Sequence, residues 1–106
     1  ATMITALARV LEDAEDGAER ARDAGRTWAD GLGGDLPGVL GRLGFDPAPE
    51  GDDIRLRSCP FAEAAERHPG IVCEVHRGLV ERIAARDSET AHLVPFASPS
   101  GCLVRR

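Results

Sequence analysis

The sequence predicts an α+β fold: a long N-terminal helix, a small antiparallel sheet of about four strands, and two further helices. Three observations carry this expectation. A stripe of apolar and small residues, spaced alternately by three and four, runs unbroken from Ile4 to Leu32. The second half alternates short strand-like runs with helical ones, separated by turns rich in Gly and Pro. The chain has 106 residues, enough for one core and one domain.

The stripe consists of Ile4, Leu7, Leu11, Ala14, Ala18, Ala21, Gly25, Trp28 and Leu32. Between these positions Glu12, Asp13, Glu15, Asp16, Glu19, Arg20, Arg22, Asp23 and Arg26 form a solvated face, with Asp16 and Arg20 spaced to pair along a helix. The pattern predicts one helix over residues 1–34, ended by Gly31, Gly33 and Gly34. Small side chains at its centre let another backbone approach closely. That backbone belongs either to the same domain or to a second copy in a homodimer. In the second case the contact residues are Leu7, Leu11, Ala14, Ala18, Ala21 and Trp28.

Residues 35–106 are predicted to form an α+β, sensor-like region that makes a single domain with the helix. Asp35 caps a short helix with Pro37 in its first turn and Leu36, Val39, Leu40 and Leu43 inward; Gly44 stops it. Phe45 and its neighbours begin a hairpin that turns at Glu50-Gly51-Asp52-Asp53 and returns as Ile54-Arg55-Leu56-Arg57, alternating apolar and polar. Pro60 opens a short helix through Phe61, Ala64 and Ala65, broken at His68-Pro69-Gly70. A helix follows from Ile71 to about Ala85, burying Val72, Val75, Leu79, Val80 and Ile83, with Gly78 as a local weakness. Thr90 to Phe96 reads as a strand, Ser98 to Gly101 as a turn, and Cys102 to Val104 as the final strand.

Composition narrows the function classes. Hydrophobic residues at 42% and charged residues at 29% are ordinary for a globular domain. A net charge of −5 makes the chain a poor partner for phosphate backbones, so it is not expected to bind DNA by itself. No apolar run approaches the ~20 residues that span a bilayer, and a membrane partner is not expected. Neither a nucleophile elbow, a phosphate-binding loop nor a His-Glu-x-x-His motif is present, so the expectation is a protein that is not an enzyme. The odd count of three cysteines without a secretion signal suits a reducing, cytoplasmic location.

Those cysteines supply the chemical content. Cys59, Cys73, His76 and Cys102 form the pattern Cys-x13-Cys-x2-His-x25-Cys, with Cys73 and His76 on one side of a helix. Ligands from three elements would suit a tetrahedral zinc ion, or three thiolates an iron–sulfur cluster; His92 is an alternate ligand. The competing reading is that buried free cysteines act as small hydrophobes and bind nothing. A metal-free chain could instead hold a small molecule between the sheet and the 71–85 helix, against Phe61, Val75, Leu79 and Phe96.

The segments Leu56-Arg57-Ser58-Cys59-Pro60-Phe61, His68-Pro69-Gly70-Ile71-Val72-Cys73-Glu74-Val75-His76, Leu93-Val94-Pro95-Phe96 and Pro99-Ser100-Gly101-Cys102 resemble the C-terminal region of bacterial ArsR-like helix-turn-helix regulators related to SufR. Leu40-Gly41-Arg42-Leu43-Gly44-Phe45-Asp46-Pro47 and the N-terminal helix extend the resemblance over nearly the whole chain. It implies the sensing and dimerisation domain of a winged-helix transcription regulator, contacting DNA only through an N-terminal domain absent from this sequence. It also implies an iron–sulfur site at Cys59, Cys73 and Cys102, although the further cysteine of SufR-like sequences is missing from Ala91-His92-Leu93-Val94-Pro95-Phe96. The alternatives are a metal-free small-molecule-binding domain and a purely structural dimerisation module.

Overall fold

The computed structural model describes residues 3–98 and 101–106. Its elements run α1 (Met3–Glu12), α2 (Gly17–Asp30), α3 (Leu36–Leu43), β1 (Pro47–Glu50), β2 (Asp53–Leu56), α4 (Ala62–Arg67), α5 (Pro69–Arg86), β3 (His92–Ser98) and β4 (Gly101–Arg105). The α+β class and the four-stranded antiparallel sheet are as expected, but three further helices, α3, α4 and α5, follow the N-terminal pair rather than two. The hairpin strand starts at Pro47 rather than Phe45, because Gly44 caps α3 at φ +96° and Phe45 is used as a core side chain. Of the predicted turn after Ser98, Pro99 and Ser100 lie outside the described residues.

The single helix over 1–34 is not formed. It breaks at residues 13–16 into α1 and α2. The sequence there, Glu12-Asp13-Ala14-Glu15-Asp16, gathers carboxylates where they oppose the dipole at the end of α1 and favour it at the start of α2. Two tight turns, Ala14 N–H to Leu11 O (3.1 Å) and Gly17 N–H to Ala14 O (3.2 Å), carry the chain around. Gly17 makes the fold-back possible: a Cβ there would lie 1.8 Å from the Leu11 carbonyl oxygen. Heptad spacing persists through the break, which is why periodicity alone does not reveal it.

Helix α2 packs along α5 almost backbone to backbone. Its buried positions, Gly17, Ala21, Gly25 and Ala29, recur every fourth residue. A Cβ on Gly25 would meet the Val75 carbonyl oxygen at 1.9 Å, and one on Gly78 would meet that of Arg22 at 2.0 Å. Gly78 is thus the point of closest approach in α5, not a weak spot. The seam is flanked by Arg22, which clamps Glu81 through Nε (3.1 Å) and Nη2 (2.6 Å). At the far end Arg86 donates to the carbonyls of Ala29, Leu32 and Gly34, satisfying the open end of α2.

The sheet has the order β1-β2-β4-β3, antiparallel throughout, so α4, α5 and β3 are inserted between the two central strands. Ile54 and Leu56 on β2, Val104 on β4 and Leu93 on β3 face Leu79, Val80 and Ile83 of α5 in the main core, with Leu36, Val39 and Leu40 of α3. A second, smaller core joins Ala8, Ala21, Ala64, Ala65, Ile71, Val72 and Cys73 around the first half of α5. Edge strand β1 carries Pro47 and Pro49, which remove N–H donors from an open edge.

Candidate functional site

The junction of the two cores is where the cysteines meet. Cys59 follows β2 in the loop before α4, Cys73 and His76 lie one turn apart on α5, and Cys102 pairs with Leu56 across the β2–β4 ladder. All four line a single small cavity of about 80 Å³, together with Phe61, Glu66 and Phe96. Local structure explains the convergence. Gly101 must be glycine because a Cβ there would sit 1.8 Å from Leu56 O, and this close approach seats Cys102 against the end of β2. On β3 the register shifts between Val94 and Ser98, and Phe96 takes a positive φ of 54° in the irregular stretch. Glu66 and the bulge position of Phe96 are members of the site that sequence spacing does not reveal.

Burial keeps two of the thiols, Cys59 and Cys73, protonated. Burial pushes Cys73 up to about 11, helped by the neighbouring sulfurs of Cys102 and Cys59 and opposed by Arg77. Burial also raises Cys59, against the pull of the Phe61 backbone N–H. Such thiols are poor nucleophiles at neutral pH. All three cysteines are free. His76 is only 7% exposed, and desolvation lowers its pKa to about 4, so the imidazole is neutral. One face stacks on Phe45 at 4.2 Å, and its Nε2 is buried without a protein partner.

The donor set of three sulfurs and one imidazole nitrogen suits zinc or another soft ion in chemistry. It does not supply the four thiolates of an all-cysteine iron–sulfur cluster. Among the described residues, no group of three or more His, Cys, Asp or Glu side chains is arranged to hold a metal ion. His92, the alternate ligand, is exposed on β3 opposite Arg105 and does not line the cavity. The strand's alternation turns it outward while Leu93 goes in.

The proposed dimer residues divide. Leu7, Leu11 and Trp28 line a second cavity, of about 270 Å³, beneath α1. Ala14 and Ala18 are exposed, whereas Ala21 is fully buried in the smaller core and unavailable to another subunit. The small-molecule pocket expected between sheet and α5 is filled by core packing. Leu79 is fully buried there, Phe96 belongs to the thiol cavity, and Phe61 and Val75 line the cavity beneath α1.

His68, which reads as a turn residue, sits between α4 and α5 with Nδ1 2.8 Å from Glu12 Oε1, though not aligned as a hydrogen bond. A depression of about 830 Å³ is an open groove beside β1 that carries none of the candidate residues. No helix among the described residues is long and apolar enough to cross a membrane. Comparison with protein-family models, curated proteins and solved structures finds no match to this chain.

Proposed function

We propose that this chain is a regulatory domain of a bacterial winged-helix transcription regulator, with the thiol cavity as its sensing site. One observation supports the reading above the others: Cys59, Cys73, His76 and Cys102, from three separate elements, line the same cavity. Those residues would hold a zinc ion or a comparable soft cation, and the bound ion would cross-link the β2–α4 loop, α5 and β4. Loading requires deprotonation of thiols that burial keeps protonated, so affinity rises with pH. It also requires the four side chains to draw inward. That closure is a structural change of the kind a sensing domain transmits.

In this reading two copies pair in the cytoplasm through the exposed side of α1 and the Ala14–Ala18 corner, and DNA is contacted by a separate domain. An ion bound here would make the domain responsive to metal supply or oxidation. The test is made on one anaerobic preparation: zinc and iron content, Co(II) absorption on titration, and molecular mass. The expected result is one equivalent of metal, with sulfur-to-cobalt charge-transfer absorption that is lost in Cys73→Ser and Cys102→Ser. A protein that binds no metal, or binds it equally after both substitutions, overturns the sensing site. The reading that then remains is a structural dimerisation module, provided the mass is that of a dimer.

A further inference from the structure

The N-terminal stripe carries information that the folded-back chain does not use. Ile4, Leu7, Leu11, Ala14, Ala18 and Ala21 keep their spacing of three and four across residues 13–16, although α1 and α2 part there. Two helices separated by a turn pack independently, and nothing in that arrangement holds their stripes to one register. A helix running through the turn does. We propose that two copies of this chain exchange α1: the turn at 13–16 straightens, α1 and α2 run on as one helix, and α1 docks on α5 of the second copy.

The attachments of α1 suit such an exchange. Along it only Ala8 is buried, in the small core with Ala21, Ala64, Ala65, Ile71 and Val72. Met3, Leu7 and Val10 are exposed, and a cavity of about 270 Å³ lies beneath the helix. At its end Glu12 Oε1 lies 2.8 Å from His68 Nδ1, at the corner between α4 and α5. Each of these contacts joins α1 to the body of the domain, so an α1 arriving from a second copy makes all of them again. With ten residues α1 is too short to persist as a helix by itself and needs a body to dock on.

The turn itself is balanced between two forms. Folding back requires Gly17, where a Cβ would meet the Leu11 carbonyl oxygen at 1.8 Å. In a continuous helix the same glycine is a disadvantage, and no proline interrupts the chain from Met3 to Asp30. Two such helices cross near residues 14–18, where Ala14, Gly17 and Ala18 let the backbones approach. Ala14 and Ala18 are exposed in the single chain and open to that contact. Carboxylates of both copies gather at the crossing, so high salt, which screens them, favours the exchange. The inference rests on the pairing of two copies proposed above and not on the thiol cavity, which α1 does not line.

The experiment refolds isotope-labelled and unlabelled wild-type protein together in high salt, then measures molecular mass and NOEs between copies. A dimer is expected, with the Ala8 methyl of one copy close to the Ile71 and Val72 methyls of the other. Gly17→Ala should tighten this dimer by about tenfold or more and raise the helical circular dichroism, as residues 13–16 join the helix. Glu15→Pro should do the reverse and give a folded monomer. Proline suits the second position of the Ala14–Gly17 turn, where Asp16 follows at φ −102° and ψ 23°, but it breaks a continuous helix. Zinc uptake by the same samples reads the sensing site separately. A dimer whose Ala8 contacts stay within one copy overturns the exchange and leaves the pairing. Undiminished dimer in Glu15→Pro, or Gly17→Ala with wild-type mass and helicity, also overturns it. A wild-type chain that is monomeric at every concentration overturns both exchange and pairing.

Discussion

Helices α1 and α2 derive from one continuous stripe of residues, yet they are held in opposite ways. On α2 the inward positions are Gly17, Ala21, Gly25 and Ala29, and Gly78 answers them from α5. Nothing separates the two backbones, so the contact leaves no space. On α1 only Ala8 is buried, while Leu7 is 57% and Val10 70% exposed. Large side chains there span a gap and enclose a cavity. Small residues therefore make the closest packing in this molecule, and large ones border its open space. That inverts the usual expectation that bulky apolar residues mark the firmest packing.

The sharpest way to break the contrast is Gly78→Leu, which drives a side chain into the Arg22 carbonyl. A destabilisation of about 3–5 kcal/mol is expected, enough to unfold much of a domain this size. Urea unfolding followed by circular dichroism measures it. A loss below 1 kcal/mol, as a rough floor for a core clash, would show that the helices slide apart freely.

Acid probes the boundary between seam and cavity. Folded His76 titrates near 4 and the unfolded side chain near 6.5, so the unfolded chain takes up the proton first. Its stabilising contribution is complete above pH 6.5 and is lost as the pH falls from 6.5 to about 4, by about 3 kcal/mol. Unfolding free energies across that window check the slope, which should flatten in His76→Phe.

Arg86→Ala removes three hydrogen bonds that close α2 and should cost about 1–2 kcal/mol, with faster amide exchange confined to residues 29–34. The smallest effect is expected on α1. At low protein concentration Val10→Ser should change stability by no more than about 0.5 kcal/mol. A loss that grows with concentration is expected if α1 pairs with a second copy, and an effect independent of concentration would remove this side of α1 from the dimer contact.

Much of this architecture is legible residue by residue. Asp35 caps α3 by accepting from Gly38 N–H at 2.9 Å, and Gly51, at φ +63°, turns the hairpin between β1 and β2. The alternation of Ile54 and Leu56 sets the inward face of β2. Such features depend on neighbours a few positions away, and local chemistry is written locally. The gathering of Cys59, Cys73, His76 and Cys102 is partly legible for a related reason, since each sits at an element's end or on its inward face. The break between α1 and α2 is not, because the stripe satisfies heptad spacing on both sides of it. Nor is the cavity beneath α1, which exists only because Trp28, Phe61 and His76 meet from distant parts of the chain.

From its own order the chain determined the elements, their caps and turns, the acidic exterior, and the residues that carry thiol and imidazole chemistry. Tertiary structure decided what the small-residue stripe touches, where the N-terminal helix folds back, and which candidate ligands share a cavity. The reason is one of range. Backbone preference and periodicity act over a turn or two, whereas the fold-back at Gly17 and the approach of Gly78 to Arg22 depend on carbonyl oxygens that only the assembled chain brings near.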